Sequence, residues 1–416
     1  MAREFFFNGD FDTTLRGRPS ALDSGEPTYL HEMAVHFLFA CEGDDSLILF
    51  QALPEDFIGY LAAKGIVCPR VVQHPAFTQE AAFTPFGWNA QAEALNRRTP
   101  NPTSHPDLEI VRAVNSRVFS RDLEKTWGGG VSEQGGLYAS WEALEAGLAA
   151  QEAPPAGGWV IKAVHGHAGT ANRRLRPVME SWDRVNRIAV QSFLEDGGQV
   201  VAEPWQDRLM DLGINFILEP GGDIHSLCGH ELQNSRDGAF LGLIIHPSGR
   251  VPEPWADPLE AAARSLAAAL HARGYFGPVS LDAYVWQAPG GSRLRPLVDI
   301  NARYSMALPA HGWARRLPSK ILCWTWFSSK KLHLPATYAE LDARLGAWAF
   351  AAGRGTGILA TSPLRLPPAY TEAVAVAAPV TRRARRVGFL FSADSEADLE
   401  TMRRDFFEAV GKNQQV

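Results

Sequence analysis

The chain has 416 residues, 46% of them hydrophobic, which is enough to bury a sizeable core in about two to four domains or subdomains. Its 40 Lys and Arg residues against 46 Asp and Glu residues give a net charge of -6, which argues against a general nucleic-acid or membrane-surface binder. The cysteines are far apart and include no CxxC pair, so neither a zinc site nor a disulfide framework is predicted.

The N-terminal residues include no apolar stretch of signal-peptide length, and no segment approaches the roughly 18 unbroken apolar residues of a membrane helix. We therefore expect a cytoplasmic protein.

Residues 1 to about 105 follow the order strand, helix, glycine, strand of an α/β unit. An apolar run over 46–50 precedes a helix candidate over 55–64, which ends at Gly65, and a strand candidate follows at 66–68. The polar, proline-broken segment Arg97–Pro106 indicates a loop, so we place a domain boundary near residue 105.

The next segment begins with helices and continues with short apolar strands. Helices are predicted over 108–123 and over 140–150, the second capped by the hydroxyl of Ser140. A strand over 159–164 contains Lys162, a glycine-bearing loop follows over 165–172, and further strands are predicted over 188–193 and 199–204.

From residue 213 onward the pattern is that of an antiparallel meander. Strand signals at 213–219, 223–230 and 240–246 are separated by Gly-Gly and Asp-Gly turns. A helix over 258–273, capped by Asp257, precedes two more strand candidates at 277–285 and 295–303. Beyond residue 331 we predict a helix near 338–350, a strand over 386–391 and a closing helix over 395–410.

The strand candidate at 295–303 ends in alternating polar residues. Asp299, Asn301 and Arg303 share one face, with Val298 and Ile300 predicted to point into the core. If this strand pairs with 277–285 as a hairpin, Asp282 faces Asp299. Two carboxylates and a carboxamide on one spot are oxygen ligands that suit Mg²⁺. The alternative is a surface hairpin whose polar face is solvated.

A second group of residues is suited to a nucleotide. Lys162 inside an apolar strand, followed by a loop with Gly166 and Gly169, forms a plausible phosphate cradle, although the spacing is not that of a P-loop. The alternative is a lysine at a sheet edge whose stem is buried and whose amine reaches water. The strand end at Glu203-Pro204-Trp205 offers main-chain groups to an adenine, and Asp211 could accept from ribose hydroxyls.

The order of these features over about residues 108–310 resembles the ATP-grasp superfamily, whose closing Glu-x-Asn-x-Arg motif appears here as Asp299-Ile-Asn-Ala-Arg303. The resemblance implies an α/β (α+β) chain of four parts. These are a preATP-grasp domain (1–105), an N-terminal ATP-grasp subdomain with the phosphate flap (106–200), a C-terminal subdomain with the metal site (201–330) and an α/β extension (331–416).

The resemblance also assigns site residues. It makes Lys162 and Arg303 catalytic, the first on the ATP phosphates and the second on the acyl phosphate. ATP binding is implied for Arg121, which stands where an earlier lysine commonly sits, and for Lys162, Gly166, His167, Gly169, Glu203, Pro204, Trp205 and Asp211. Mg²⁺ binding is implied for Asp282, Asp299 and Asn301. Topology suggests Glu231, Asn234, Arg236 and Asp237 as substrate contacts.

The implied activity is that of a ligase that uses ATP and Mg²⁺ to activate a carboxylate as an acyl phosphate. An amine then displaces phosphate, and an amide remains. The expected partners are small-molecule carboxylate and amine substrates, such as amino acids or short peptides, and a homodimer is left open. Two alternatives are a phosphotransferase that uses the same nucleotide site and a nucleotide-binding regulatory protein without turnover.

Overall fold

The computed structural model describes residues 2–20, 28–74, 76–78, 81–128, 134–151, 155–166, 171–176, 184–235, 238–366 and 382–411. Three larger sheets organise these residues, and one cavity lies where the sheets meet. The mixture of parallel and antiparallel sheets with helices confirms the predicted α/β (α+β) class.

The first sheet is parallel and belongs to the N-terminal part. Its strands are β1 (Arg3–Phe6), β2 (Ser46–Leu49), β3 (Arg70–Gln73) and β4 (Ala82–Pro85), in the spatial order β3-β2-β1-β4. Parallel neighbours need crossover connections, which here include α1 (Phe11–Leu15), α2 (Thr28–Ala34), the 3₁₀ helix Val35–Ala40 and α3 (Glu55–Ala63). Helix α4 (Ala90–Asn96) follows the last strand.

The second sheet is antiparallel and has four short strands. These are β5 (Gly136–Tyr138), β6 (Trp159–Ala163), β7 (Asn172–Leu175) and β8 (Val200–Pro204), in the order β5-β8-β6-β7. The helices before and between them are α5 (Leu108–Val114), α6 (Arg117–Thr126), α7 (Trp141–Ala149) and α8 (Arg184–Gly197).

The predicted strand over 188–193 is wrong, because these residues lie within α8. Val190 and Phe193 are its buried residues, and a spacing of three places them on the helix face that packs against the second sheet. A short apolar run does not by itself distinguish a strand from a buried helix segment.

The third sheet is the largest. Its strands are β9 (Arg208–Leu218), β10 (Ile224–Asn234), β11 (Phe240–Ile245), β12 (Gly277–Ala288), β13 (Gly291–Asn301), β14 (Ile321–Ser328), β15 (Gly357–Ala360) and β18 (Arg386–Ala393). Their order is β13-β12-β9-β10-β11-β14-β18-β15, and all of these pairs are antiparallel. The strands β16 (Arg365–Leu366) and β17 (Arg382–Arg383) form a separate short pair.

Helix α9 (Ala256–Ala272) covers one face of this sheet with a periodic apolar stripe that includes Leu259, Leu266 and Leu270. The prediction that Asp257 caps this helix is wrong. Trp255 is at the N-cap, and the Asp257 carboxylate pairs with Arg250 instead. Helix α10 (Ala307–Arg316) lies between β13 and β14 along the chain.

The C-terminal residues complete the third sheet. Strand β18 pairs with β14 over its whole length, and β15 pairs with β18, so strands from both sides of residue 331 form one continuous sheet. The remaining elements here are α11 (Tyr338–Leu345), α12 (Glu396–Val410) and the 3₁₀ helices Ser329–Lys331 and Gly346–Trp348. No described helix has the length and apolar character needed to cross a membrane.

Helix α12 docks on the sheet through Phe406, whose ring contacts Phe389, Phe391 and Phe327 with centroid distances of 4.8, 5.2 and 5.5 Å. Phe406 is fully buried, whereas its neighbour Phe407 remains 38% exposed. We expect Phe406→Ala to lower the free energy of unfolding by about 3–5 kcal/mol, since it leaves a cavity among three rings.

The matched control is Phe407→Ala, which removes the same side chain from a more exposed position and should cost less than about 1 kcal/mol. Urea unfolding followed by tryptophan fluorescence compares the two. Equal losses would show that α12 is not anchored through Phe406.

Candidate active site

Strands β12 and β13 form the predicted hairpin. Asp282 lies opposite Asp299, and Ser280 lies opposite Asn301. All four residues line the cavity, so the predicted alternation of polar and apolar residues places these side chains on one face. The prediction that Asp282 and Asp299 face each other is confirmed.

A β-bulge interrupts this hairpin directly beside the site. The register shifts between Asp282 and Tyr284, and Tyr284 pairs with Arg295, so β13 carries two extra residues around Pro296. Proline is tolerated at such a bulge because no ladder hydrogen bond is required there. The bulge turns Arg295, Val298 and Asp299 towards the cavity, which corrects the prediction that Val298 points into the core.

The cavity has a volume of about 720 Å³ and is lined by residues of the second and third sheets and by residues of the N-terminal part, such as Phe7 and Phe86, which directly follow β1 and β4. The site residues predicted from the sequence that line it are Lys162, Glu203, Pro204, Trp205, Asp211, Asn234, Asp282, Asp299, Asn301 and Arg303. Residues separated by up to 141 positions along the chain are therefore brought to one place, from Lys162 to Arg303.

Lys162 is part of a buried network of four charges. Its Nζ lies 2.7 Å from Glu203 Oε2. Arg295 donates to both oxygens of Glu203, at 3.0 and 3.2 Å, and to both oxygens of Glu124, at 2.7 and 2.6 Å. All four side chains are buried, and two cations balance two anions. The lysine is thus paired inside the sheet rather than placed at a solvated edge.

The network shifts the pKa values of its members. Burial lowers the pKa of Lys162, and the neighbouring Arg295 and Arg117 lower it further, while Glu203 opposes them. Burial alone would raise the pKa of Glu203, but Arg295 and Lys162 outweigh it and hold that pKa well below its usual range. Glu203 therefore remains a carboxylate in this environment.

The strand end at Glu203 to Trp205 is fixed by a main-chain hydrogen bond and by two arginine side chains that contact the Trp205 ring. The Trp205 amide donates to the Gly158 carbonyl at 2.8 Å. The indole ring has the guanidinium carbons of Arg174 and Arg208 at 4.2 and 5.2 Å from its centroid. This arrangement gives the cavity a rigid aromatic wall that carries positive charge.

Asp211 is oriented by two partners at the same end of the cavity. Arg208 Nη1 donates to its Oδ1 at 2.9 Å, and Asn234 Nδ2 donates to its Oδ2 at 3.0 Å. Asp211 and Asn234, assigned to nucleotide and substrate from the sequence, are therefore direct neighbours.

Arg117 is a cavity residue that the sequence analysis missed. Its Nε and Nη2 both lie 3.0 Å from Asp299 Oδ2, and its Nη1 donates to the Ala163 carbonyl at 3.0 Å. It is the first residue of α6, directly after Ser116, whose hydroxyl caps the helix. The sequence contained one signal for Arg117. Ser116 is a typical N-cap residue, so the next residue, Arg117, is expected to lie at the start of the helix.

Arg121 lies one turn further along α6, is buried, and is not among the residues that line the cavity. Residues four apart share a helix face, so the sequence did not distinguish which arginine reaches the site. Of the two arginines, the structure therefore places Arg117 at the cavity.

Arg303 is held between two residues at the end of β13. Its Nη2 donates to Asn301 Oδ1 at 2.8 Å and lies 3.0 Å from Asp12 Oδ2. Its guanidinium carbon lies 4.9 Å from the centroid of Phe86. The sequence analysis missed Asp12, which comes from the N-terminal part and is 291 positions away.

The Asp282 carboxylate has few favourable contacts. Asn301 Nδ2 donates to its Oδ2 at 3.3 Å. Burial and the nearby Asp299 raise the pKa of Asp282 to about 7. A carboxyl in this position favours a neutralising partner, and two carboxylates with one carboxamide are a donor set that fits a hard divalent cation. The described residues include no group of three or more His, Cys, Asp or Glu side chains arranged to bind a metal ion.

The remaining predicted residues are placed as follows. Glu231 lies between His230 and Leu232, which line the cavity, so its side chain leaves the other face of β10 and pairs with His246 Nε2 at 2.6 Å. The prediction that Glu231 contacts substrate is therefore corrected. The Gly166 carbonyl accepts from Arg117 Nη2 at 3.4 Å, while His167, Gly169, Arg236 and Asp237 lie outside the described residues.

Comparisons with known proteins give no matching family model. One curated relative, IQ motif-containing protein H of Danio rerio, is 28% identical over 121 residues, which are 29% of this chain and 11% of that protein. The chain thus spans about a tenth of the length of the curated relative that it matches.

Solved structures match over nearly the whole chain. Phosphoribosylamine–glycine ligase of Thermotoga maritima is 13% identical and covers 91% of this chain and 94% of its own, with a TM-score of 0.54. The N5-carboxyaminoimidazole ribonucleotide synthetase of Thermus thermophilus is 13% identical, with coverages of 99% and 100% and a TM-score of 0.51. Biotin carboxylase of Campylobacter jejuni, in complex with a nucleotide, is 10% identical, with coverages of 99% and 92% and a TM-score of 0.51.

The buried charge network gives a stability prediction. Replacing Arg295 by methionine leaves Glu124 without its partner and Glu203 with Lys162 alone, so we expect a loss of about 3–5 kcal/mol in the free energy of unfolding. The control is Arg97→Met, which breaks an exposed ion pair with Glu93 and should change stability by less than about 0.5 kcal/mol. Chemical unfolding at pH 7 measures both, and equal effects would contradict the role of the network.

The pair of His246 and Glu231 gives a pH prediction. The hydrogen bond from His246 to Glu231 raises the pKa of His246 above its ordinary value of 6.5. A raised histidine pKa stabilises the fold below about pH 6.5, and this contribution disappears as the pH rises through the folded-state pKa. Glu231→Gln should therefore cost up to about 1 kcal/mol at pH 5.5 and less at pH 8.5.

Urea unfolding of both proteins at the two pH values, together with NMR titration of His246, checks this expectation. A His246 pKa that does not fall in the variant would show that Glu231 does not set it.

Proposed function

Because this chain has the ATP-grasp fold, we propose that it is an ATP-dependent ligase that activates a carboxylate as an acyl phosphate and couples it to an amine. One observation carries the proposal. Two buried cations, Lys162 and Arg117, line the same cavity as Asp282, Asp299 and Asn301. Phosphoryl transfer needs cations that bind the phosphates and, next to them, oxygen ligands that bind a divalent metal ion.

The phosphate end of the proposed site consists of Lys162 and Arg117. Lys162 acts as a point charge held in place by Glu203, and Arg117 offers a planar guanidinium held by main-chain carbonyls. Arg117 donates to Asp299 in this structure. When ATP binds, its phosphates and the Asp299 carboxylate would both accept hydrogen bonds from the Arg117 guanidinium. Gly166, His167 and Gly169 belong to the loop that would cover the phosphates.

The nucleoside end is proposed at the C-terminal end of β8 in the second sheet. Main-chain groups from Glu203 to Trp205 would hold the adenine, and Asp211 would accept from the ribose hydroxyls. This placement is supported by the fact that these residues line the same cavity as Lys162. Trp205 and the two arginines beside it provide a flat wall for a planar base.

Asp282, Asp299 and Asn301 would hold Mg²⁺, and their donor set fits this ion. When bound, the ion supplies charge neutralisation to the phosphates and relieves the repulsion between the two carboxylates. Arg303, oriented by Asp12 and Asn301, would bind the substrate carboxylate and then the acyl phosphate.

The chemistry requires no protein nucleophile. An oxygen of the substrate carboxylate attacks the γ-phosphorus, the bond to the β-phosphate oxygen breaks, and ADP leaves. The amine nitrogen then attacks the acyl carbon, the carbon–oxygen bond to phosphate breaks, and phosphate departs with the amine proton. Lys162, Arg117 and Arg303 offset the negative charge that develops on the transferred group.

Substrate contacts are proposed at Asn234 and, beyond the described residues, at Arg236 and Asp237. The proposed partners are a small carboxylate and a small amine, for example amino acids or short peptides. We further propose that the chain divides functionally at about residues 105, 200 and 330, although the last boundary lies within the third sheet.

The experiment that tests the function measures ADP, inorganic phosphate and new masses in one reaction. The protein is incubated with Mg·ATP and pooled amino acids, short peptides and carboxylic acids. Equal amounts of ADP and phosphate, with a product lighter than its two substrates by one water, are expected. ADP without phosphate, with a substrate that gains one phosphoryl group, would make the protein a kinase and contradict ligation.

Two variants test the proposed residues. Lys162→Ala and Asp299→Asn should each lower kcat/KM for ATP by about 100-fold or more, because the first removes a cation that contacts the phosphates and the second weakens the proposed Mg²⁺ site. Lys330→Ala and Asp223→Asn, both at exposed positions, are the matched controls and should retain full turnover. Circular dichroism confirms folding, and full turnover in both site variants would exclude this assignment.

A further inference from the structure

Two buried histidines lie at the cavity and have no role in the ligation proposed so far. His230 on β10 lines the cavity, and His311 on α10 packs against it with ring centroids 5.4 Å apart. His311 Nε2 lies 3.4 Å from His230 Nδ1, and both side chains are more than nine-tenths buried. Buried polar atoms are normally paired, so the contacts of the His230 ring indicate what its other nitrogen can bind.

The third sheet aligns His230 with the proposed metal site. His230 lies opposite Gly213 on β9, which in turn lies opposite Asp282 on β12. Asp282 lies opposite Asp299 on β13, so the four positions form one row across the sheet. The three side chains in this row all line the cavity. Neighbouring strands are about 4.8 Å apart, which places His230 roughly 10 Å from Asp282 at the level of the main chain.

Gly213 allows the His230 ring to lie along this row. A Cβ at Gly213 would be 2.3 Å from His230 Nε2 and 2.9 Å from its Cε1, so the tip of the ring occupies the space of the missing side chain. A contact of 2.3 Å is too short for any pair of non-bonded heavy atoms, so only glycine permits this position. Nε2 therefore lies above the strand that separates His230 from Asp282, about one strand spacing from the proposed metal site.

The surroundings of the ring indicate which nitrogen carries the proton. Burial lowers the pKa of His230 to about 4, and a hydrogen bond with the main chain of Cys228 opposes this effect. The opposing direction is that of a ring N–H that donates to a carbonyl. Nδ1 is the ring nitrogen nearer the main chain and also faces His311, so we assign the proton to it. Nε2 is then an unprotonated acceptor, and no donor reaches it among the residues that the structure describes.

We propose that His230 is the general base of the coupling step and that its Nε2 accepts a proton from the amine that attacks the acyl phosphate. His311 is a positioning residue that holds the His230 ring. This inference rests on the proposed ligase function and adds a catalytic residue to it. The row of residues across the sheet carries it, because Nε2 lies towards Asp282, beside which the acyl phosphate would be held.

The proton is transferred within the coupling step. The amine nitrogen attacks the acyl carbon, the carbon–oxygen bond to phosphate breaks, and the nitrogen passes one proton to His230 Nε2. As that bond breaks, the nitrogen becomes an amide nitrogen, whose conjugate acid is a much stronger acid than an imidazolium. A weakly basic, neutral ring is therefore a sufficient acceptor at this moment. The imidazolium then gives the proton to the departing phosphate, and the neutral histidine is restored.

The test separates formation of the acyl phosphate from its reaction with an amine. The full-length protein is incubated with Mg·ATP and pooled amino acids and short peptides, with and without hydroxylamine. Hydroxylamine is largely unprotonated near neutral pH and reacts with acyl phosphates without a catalyst. The hydroxamate therefore reports formation of the acyl phosphate, and the mass of the amide product reports the coupling step.

His230→Asn keeps an amide N–H near the position of Nδ1 and removes Nε2. It should lower the rate of amide formation by about 100-fold or more while hydroxamate formation stays within about twofold, because general bases contribute factors of this size to one step. Gly213→Ala should have the same effect without altering the histidine, since its Cβ displaces the ring. The matched control is His333→Asn, at an exposed position, which should retain both activities.

Two variants of His311 test its positioning role. His311→Gln keeps a hydrogen-bonding group near the position of Nε2 and should retain most of the coupling rate. His311→Ala leaves the His230 ring without this neighbour, so it should lower amide formation by a smaller factor than His230→Asn. Hydroxamate formation should be unchanged in both variants, which shows that they fold.

Two results would overturn the inference. They are undiminished amide formation by His230→Asn, and equal losses of hydroxamate and amide in both His230→Asn and Gly213→Ala, which would give the ring a structural role only. The wild-type protein separates this failure from that of the proposed function. A wild type that forms hydroxamate and amide, with a His230 variant that couples equally well, loses only the catalytic assignment. A wild type that forms neither product lacks the proposed function itself.

Discussion

The buried contact between Arg295 and the two glutamates Glu203 and Glu124 is the interaction on which the candidate site depends. It joins the bulge of β13 to strand β8 of the second sheet and to helix α6. Burying four charges is costly, and the cost is offset here because each cation has an anion within hydrogen-bonding distance. Lys162 completes the network, so its position is fixed by the same contacts that connect the two sheets.

The bulge at Pro296 determines which side chains of the hairpin face the cavity. In a regular strand Arg295, Leu297 and Asp299 would share one face, and the core residue Leu297 would lie between the two charges. Two extra residues allow Leu297 to enter the core, while Arg295 meets the network and Asp299 meets Arg117. Asn115 connects the same region to α5 and α6, because its side chain accepts from the Ala302 amide at 2.9 Å. The site is thus built from strand ends and helix starts rather than from isolated loops.

Local patterns in the sequence were sufficient for much of this site. Alternation along 277–285 and 295–303 predicted that Asp282, Asp299 and Asn301 would meet, and an unexplained lysine in an apolar strand indicated Lys162 as a site residue, although not its pairing with Glu203. The ATP-grasp fold followed from the order of these features. Topology suggested Glu231 as a substrate contact, although its neighbours His230 and Leu232 on β10 line the cavity and Glu231 does not.

The parts that could not be predicted depend on long-range contacts. Arg117 and Arg121 are equivalent in periodicity, and only the contact with Asp299 distinguishes them. Asp12 reaches Arg303 from helix α1 of the N-terminal part, and Arg386 reaches Trp326 from a neighbouring strand, so neither pair has a local signature. The segment 188–193 was mistaken for a strand because its apolar residues suit both a strand and one face of a helix.

The most direct measurement is a crystal structure of the protein with Mg²⁺ and a non-hydrolysable ATP analogue. We predict a triphosphate between Lys162 and Arg117, metal density within reach of Asp282, Asp299 and Asn301, and an adenine against the strand end at Glu203 to Trp205. A nucleotide bound away from Lys162, or phosphates that contact Arg121 while Arg117 keeps both bonds to Asp299, would contradict the proposed site.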